Sequence, residues 1–538
     1  MLYIILLDAG LAAGCLFAGK ILIHYFQLES YQFHGYFRTL KRNLLKSCIP
    51  GILMALALGL MLIPAYLMGN VFSPLYYIAV SVLLVAAGFL IGKKDSEKKA
   101  KKALVYTSRI KRLYVISMIV FAGVFFLVLQ SVISHHEPYE LLFPACLCTI
   151  LIPLFLPLWI ALGGLLAWPV EKMISELYFR DAQKILKKRN DLIRIGITGS
   201  WGKTSVKFIL GTILEEKYHT LVTPASFNTP MGVTKVIRSG LEPGHRVFVS
   251  EMGARHVGDI KEMCRLVHPQ IGIITSVGPQ HLDTFRTVER VVKTKYELIE
   301  ALPMDGMSFF ADDGDLCREM FNRTTIEKTL TGLDHDADQV WAENIQFTNN
   351  GSTFTLCTAS MRQPCSTMLL GELNVRNIVL SAAVCLKLGM TGEQIARGIA
   401  RIRPVEHRLQ LIHNPGGLTV IDDAFNSNIR GAEQAFRVLK EMNGTRILVT
   451  PGMVELGEQE ETMNRALGKA AADCCDLAIL VGKKRSAAIL EGLRDKQFPE
   501  DKIMIVSSLE EAAELLKTKA GKGDTILFEN DLPDNYSE

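Results

Sequence analysis

The chain has 538 residues, 49% hydrophobic and 21% charged, with 59 Lys and Arg against 55 Asp and Glu for a formal net charge of +4. That length accommodates three or more domains, and so slight a charge excess offers no argument for a nucleic-acid partner. Eleven cysteines lack any paired CxxC spacing (Cys146 and Cys148 share an apolar run, Cys474 and Cys475 are adjacent), which excludes a zinc ribbon and leaves reduced, structural thiols.

Long apolar runs dominate the first 170 residues. Leu2–Ile23, Ser47–Met68, Leu75–Ile91, Leu113–Ile133 and Leu141–Trp168 are each long enough to cross a hydrocarbon core of about 30 Å, predicting five spans. No basic n-region or small-residue cleavage site precedes the first run, so a cleaved signal peptide is not expected. Lys and Arg collect in alternate loops: Arg38, Lys41, Arg42 and Lys46, then Lys93 to Arg112, then Lys172 to Arg194. Gly69–Pro74 and Ser134–Glu140 hold none, which predicts an outside N-terminus, cytoplasmic domains beyond residue 170 and basic flanks against anionic membrane lipid. Asp8 and Lys20 lie within the first run, where ionisable groups are costly and either functional or drawn to the membrane edge. His135 and His136 fall in an outside loop and read as polar surface.

Residues 171–191 read as a juxtamembrane connector helix, with Met173, Ile174, Leu177, Ile185 and Leu186 among basic residues. Beyond it, short apolar runs alternate with helical patterns: Ile193–Thr198, Val206–Leu214, Val247–Val249, Ile260–Leu266 and Ile271–Ser276. This alternation predicts α/β structure with a mostly parallel sheet covered by helices. Val340–Phe347, Thr353–Thr358 and Ser366–Leu370 read as antiparallel strands around Asn349-Asn350-Gly351. After Arg408 the alternation restarts with Leu418–Ile421, Arg446–Val449, Leu477–Val481 and Ile503–Val506, a second, Rossmann-like α/β domain. The expected organisation is a membrane region at 1–170, the connector, a P-loop-type domain at 192–409 and a C-terminal domain at 410–538.

The stretch Thr198-Gly199-Ser200-Trp201-Gly202-Lys203-Thr204-Ser205 joins an apolar strand to a helix. Backbone N–H groups in such a turn, with the positive end of the helix, cradle phosphate. Lys203 adds a point charge for the terminal phosphates, and the Thr204 hydroxyl is positioned for Mg2+. Ile197 stands where the common G-x-x-x-x-G-K-[ST] pattern has glycine, so the loop is the compact T-G-x-x-G-K-T form. Four further clusters follow. Pro224–Val233 is a polar loop ahead of a helix; Glu251 ends a buried strand; His281 and Asp283 follow the next strand; Lys293 and Lys295 share a helix. Each alone also fits a helix cap or solvated side chain, but α/β sheets build sites where strands end, and these converge there.

In sequence and order these motifs resemble the Mur ligase family of ATP-dependent amide-bond-forming enzymes, over roughly residues 192–482. The resemblance implies an acyl-phosphate mechanism, ATP and two Mg2+ sites. Thr198–Ser205 would be the phosphate loop, so Gly199, Ser200, Gly202, Lys203, Thr204 and Ser205 would hold nucleotide and Thr204 the first metal. Glu251, His281 and a carbamylated Lys295 would hold the second. Asn374 and Asn377, in Gly371–Asn377, would lie by the adenine. Arg408 and Asp423, flanking the junction Asp422–Asn428, would contact phosphate and ribose; Pro451–Gly457 matches a family turn. The implied partners are ATP, a carboxylate-bearing cell-wall peptide precursor, UDP- or lipid-linked, and an amine such as D-alanyl-D-alanine.

Three departures bear on the substrates. The membrane region stands where the family's UDP-sugar-binding domain is expected, Leu373 replaces the usual histidine, and Ile526–Asp534 stands where a Lys-Gly-Ser segment is expected. A ligase for another amino-acid polymer or envelope precursor therefore stays open. An ATP-driven transporter fits less well, because five spans with so few polar residues offer little to line a pathway.

Overall fold

The computed structural model describes residues 2–29, 31–67, 74–96, 104–133, 151–225, 227–348, 351–404, 407, 409–413, 417–424, 429–454, 456–483 and 486–530. The chain divides into two compact units, the first from Met1 to Glu176 and the second from Leu177 to Leu532.

The first unit is helical: α1 (Leu2–Ala18), α2 (Lys20–Leu28), α3 (Phe33–Arg42), α4 (Leu44–Leu67), α5 (Pro74–Ser96), α6 (Ser108–Ile133), a 3-10 turn (Ile152–Phe155) and the start of α7 (Leu156–Lys187). Among the described residues, four helices are long and apolar enough to cross a membrane, Leu44–Met61, Leu75–Lys93, Ser108–Leu127 and Ile152–Lys187, and α1 with α2 makes a fifth if that pair counts as one span. The expected continuous first span is therefore corrected: it breaks at Gly19 and bends by 52°. Gly19 lowers helix propensity there and leaves room for Ile160, whose Cδ1 would lie 3.0 Å from any Cβ at that position. Lys20 consequently opens α2, while Asp8 is buried in α1. The expected last span begins in residues 141–150, outside the described residues, as do His135 and His136. Small residues set how closely α1 and α5 approach: a Cβ on Gly88 would overlap the Gly14 carbonyl, and one on Gly10 would meet Ser81. Helices in an apolar medium gain little from hydrophobic burial, so close backbone contact of this kind is what holds them.

The second unit contains two sheets. The larger comprises β1 (Ile193–Thr198), β2 (Thr220–Val222), β3 (Val247–Glu251), β4 (Ile271–Ile274), β5 (Met307–Ala311), β6 (Glu327–Gly332), β7 (Val340–Thr348), β8 (Gly351–Thr358) and β9 (Met361–Thr367), in the order β2-β3-β1-β4-β5-β6-β7-β8-β9. Pairing is parallel from β2 through β7 and antiparallel across β7-β8-β9. The third antiparallel strand starts at Met361 rather than Ser366, and Leu369 and Leu370 follow it as buried connectors. Connecting helices are α8 (Lys203–Leu214), α9 (Pro230–Gly240), α10 (Asp259–Val267), α11 (Leu282–Phe285), α12 (Val288–Glu300), α13 (Asp315–Arg323), α14 (Glu372–Lys387) and α15 (Gly392–Ala400). They cover both faces, as strands of almost unbroken Ile, Val and Phe require. α8 and α14 bury Val206, Ile209, Ile213, Ile378 and Val379 on one face. On the other, Phe248, Ile274 and Phe310 meet α10 and α12, together with Phe179, Ala182 and Leu186 from the last turns of α7.

The smaller sheet has the order β10-β11-β15-β12-β13-β14, from β10 (Gln410–His413), β11 (Thr419–Asp423), β12 (Arg446–Thr450), β13 (Leu477–Val481), β14 (Ile503–Val506) and β15 (Thr525–Glu529). Only β10 runs antiparallel among its described pairings.

Candidate active site

β1 is central in the larger sheet, with β3 on one side and β4 on the other, in the register Ile197 to Glu251 and Thr198 to Ile274. Parallel pairing therefore brings the ends of three strands together: the phosphate loop, Glu251, and the Thr275–Gly278 segment. The loop is tied to that segment. Ser200 N donates to Ser276 O at 2.6 Å; Ser200 Oγ donates to Gly278 O at 2.9 Å and accepts from Gly278 N at 3.1 Å. The Ser200 hydroxyl thus holds the loop's shape. Gly199 has no room for a side chain, since a Cβ would overlap Thr275 Oγ1, and Gly202 adopts φ +80°, which glycine tolerates best. Trp201 closes the loop, its indole N–H 3.2 Å from Asp313 Oδ2 and its ring against Gly278. Lys203 arches back over the turn, its Nζ donating to Gly199 O at 2.7 Å and Ser200 O at 3.0 Å. The ammonium is thus held at the turn by two of the loop's own carbonyls.

Glu251 is only 1% exposed, and three side chains donate to its carboxylate. Thr204 Oγ1 donates to Oε1 at 3.2 Å, Asn228 Nδ2 donates to Oε1 at 3.1 Å, and Lys207 Nζ donates to Oε2 at 3.0 Å, while Thr223 Oγ1 accepts from the Glu251 N–H. Lys207 itself is fully buried and also donates to Ala225 O. Sequence reasoning missed this residue. Its one signal is position: Lys207 follows Thr204 by three on α8, hence lies on the same helical face. Asn228 comes from the polar loop ahead of α9 and is held in turn by the Gly253 N–H, 2.8 Å from its backbone oxygen.

Lys295 lies inside α12, 1% exposed. Burial, and then the nearby Lys203 cation, hold its amine well below the usual lysine range, against the opposing pull of Asp259, Glu297 and Glu251. Glu297 is engaged by the amides of Gly258 and Lys261 at 2.8 and 2.9 Å. His281 caps α11 in a left-handed conformation, φ +51°, and its carbonyl accepts from Thr284 and Phe285. Lys293 is exposed, and the Asp283 side chain lies outside the described residues.

Among the described residues no three His, Cys, Asp or Glu side chains cluster as a metal cage. The chemistry here is compatible with Mg2+ nonetheless. Thr204 Oγ1 and Glu251 Oε1, 3.2 Å apart, are both hard oxygen donors of the kind Mg2+ takes.

The nucleotide-side residues divide. Ser205 and Asn374 line an open cleft of about 300 Å3 with Phe208, Thr212, Leu369 and Arg403; Asn374 Nδ2 donates to Leu370 O at 2.8 Å. Asn377 lies instead at the phosphate loop, its Oδ1 3.2 Å from where a Gly202 Cβ would stand. Asp423 ends β11 and accepts from the Leu409 N–H at 2.9 Å. Arg408, residues 425–428, Glu455 and residues 531–538 lie outside the described residues. In the Pro451–Gly457 turn, Gly452 has φ +80° and Met453 N donates to Asn464 Oδ1 at 2.8 Å.

A model of the Mur ligase middle domain matches residues 197–385, and one of the Mur ligase, glutamate ligase domain matches residues 407–529. The UDP-N-acetylmuramoyl-tripeptide--D-alanyl-D-alanine ligase of Haemophilus influenzae is 30% identical over 330 residues, 60% of this chain and 70% of that protein. The enzyme of the same name from Bacillus subtilis is 28% identical over 337 residues, 62% of this chain and 72% of that protein. The crystal structure of MurF from Acinetobacter baumannii superposes with a TM-score of 0.61 at 26% identity, covering 66% of this chain and 77% of that one.

Proposed function

The chain belongs to the Mur ligase family, ATP-dependent ligases that form peptide bonds, and from that premise we propose that it joins D-alanyl-D-alanine to a cell-wall peptide precursor at the membrane face. The observation carrying the chemistry is the convergence of Lys203, Thr204, Glu251 and Lys295 on the ends of β1 and β3.

A free carboxylate cannot expel oxide, so it must first be activated. Transfer of the γ-phosphoryl group of ATP to the carboxylate gives an acyl phosphate and ADP. The amine then attacks the acyl carbon, the C–N bond forms, phosphate leaves and the amine gives up a proton. Phosphoryl transfer needs positioning and charge neutralisation more than covalent help from the protein. The loop amides and Lys203 supply both for the terminal phosphates. Asn374 and Ser205 border the cleft that would take the nucleotide, and the family resemblance gives Arg408 and Asp423 as contacts to its phosphate and ribose. Thr204 would hold one Mg2+, and Glu251, His281 and Lys295 a second. When bound, these ions neutralise the phosphate and acceptor carboxylate, two anions that otherwise repel.

Lys295 takes part as a carbamate. Burial favours the uncharged amine, which would add to CO2 and lose a proton, giving N–COO−, a group that would offer hard oxygens where an ammonium would repel the metal. Lys207 fixes the Glu251 carboxylate from behind.

The helices of residues 2–176 anchor the enzyme, with the N-terminus outside and the catalytic domains in the cytoplasm. The family-model matches begin at residue 197, after the apolar helices, and a lipid-linked precursor met at the bilayer suits such an anchor. The test incubates detergent-purified full-length protein with ATP, D-alanyl-D-alanine and either UDP-linked or lipid-linked peptide. ADP release requiring both the carboxylate and the amine, with a product heavier by the dipeptide less water, supports the proposal. ADP release without either substrate refutes it.

A further inference from the structure

Within the first unit, α2, α6 and α7 all change from apolar to polar at one level. α2 ends at Leu28, α6 starts at Ser108 with Arg109, Lys111 and Arg112 before its apolar run, and the α7 run ends at Trp168 before Glu171 and Lys172. At that level lies an open cleft of about 310 Å3 lined by Phe26, Tyr31, Phe33, Arg109, Trp168 and Glu171, among others. Its apolar wall is ordered: Phe26 meets Phe33 edge-on at 5.3 Å, and Gly164 leaves the space the Phe26 ring needs.

Two guanidiniums and a buried carboxylate meet at the mouth. Glu171 is 7% exposed and is gripped by the fork of Arg112, Nε to Oε1 at 2.5 Å and Nη2 to Oε2 at 2.9 Å. Arg109 approaches the same carboxylate only to 3.7 Å, beyond hydrogen-bond reach, and its guanidinium lies 3.8 Å over the Tyr31 ring. Lys172 Nζ adds a further cation 5.0 Å from the Trp168 ring. The stacked guanidinium keeps its N–H edges available for a planar or tetrahedral oxyanion.

We propose that this cleft binds an anionic membrane lipid, its phosphate on the Arg109 guanidinium and its first methylenes against Phe26, Phe33 and Trp168. A free phosphate ion would exchange hydration for apolar walls and one arginine; an amphiphile matches both halves of the cleft. Aromatic rings at a membrane boundary and basic side chains facing phosphate are the physical basis of such recognition. The proposal rests on residues 2–176 being embedded in a membrane and stands apart from the ligation chemistry.

The test titrates detergent-solubilised full-length protein with dioctanoyl phosphatidylglycerol and with dioctanoyl phosphatidylcholine, which share chains and differ in net charge, reading bound lipid by native mass spectrometry. The expected preference for phosphatidylglycerol is about fivefold, the attraction of one basic side chain near an anionic surface. Arg109→Gln removes that preference, Arg109→Lys keeps most of it, and millimolar inorganic phosphate does not displace the lipid. Equal binding of the two lipids, an unchanged preference in Arg109→Gln, or displacement by inorganic phosphate overturns the proposal. If Arg109→Gln does not fold, the wild-type comparison and the phosphate competition decide alone. Recovery of the chain in soluble form without detergent would instead overturn the membrane reading, before any titration.

Discussion

Lys207→Met removes the cation facing Glu251 while keeping an unbranched apolar stem in the same space. The carboxylate would retain the Thr204 hydroxyl at 3.2 Å and the Asn228 amide at 3.1 Å, but lose the ammonium at 3.0 Å. Removing one partner of a buried ion pair costs about 3–5 kcal/mol, because the other charge is left uncompensated. Thr204 and Asn228 are neutral donors and do not replace the lost charge, so the cost stays in that range. Hydrogen exchange of the β1, β3 and α8 amides in the full-length, detergent-solubilised chain reads this local free energy without requiring two-state unfolding of the whole protein. Lys207→Met combined with Glu251→Gln removes both charges and should recover more than half of the loss. A single-variant loss below about 1 kcal/mol would refute the reasoning.

Three other outcomes are expected. Gly199→Ala should weaken ATP binding at least about tenfold in calorimetry, because its Cβ would overlap Thr275 Oγ1 and lie 2.9 Å from Ser276 O, forcing the loop off its cradle. Lys295→Ala should lose ligation, with no restoration by bicarbonate, while ATP still binds; turnover at the wild-type rate would remove Lys295 from the mechanism. Asp338, 6% exposed, has its carboxyl raised by burial to about 6. Its contribution to stability is therefore fully present below about pH 4 and is lost as pH rises through about 6. Asp338→Asn should accordingly flatten the pH dependence of local hydrogen exchange at β6 and β7 and stabilise by about 1–2 kcal/mol at pH 7.5, with no gain at pH 4.

Much of the site was legible because its determinants are local. A short apolar strand running into Thr-Gly-Ser-Trp-Gly-Lys-Thr specifies a phosphate loop within one stretch of chain. Glu251 and Thr275 could be placed beside it because each closes an apolar run, and runs of that kind end on the same edge of a parallel sheet. Long apolar segments announce membrane-type helices in the same way, since length and composition alone decide whether a helix suits hydrocarbon.

Other features depended on contacts between distant residues. Lys207 reads in sequence as one more polar position on a helix; its pairing with Glu251, 44 positions later, exists only because β3 lies beside β1. The Ser200 hydroxyl looks available for phosphate until Gly278 is seen to hold it. Asn377 shares a short motif with Asn374, yet the turn of α14 sends it to the phosphate loop rather than the open cleft. In the first unit, Gly19 lies against Ile160 where α1 gives way to α2, and the cleft beside Arg109 is lined by residues far apart in the chain. Sequence by itself thus determined the phosphate-loop stretch, the membrane-type segments and the alternation of strands and helices, all consequences of local pattern. Tertiary structure alone decided which charges meet, because strand order and helix contact bring together groups that no local periodicity connects.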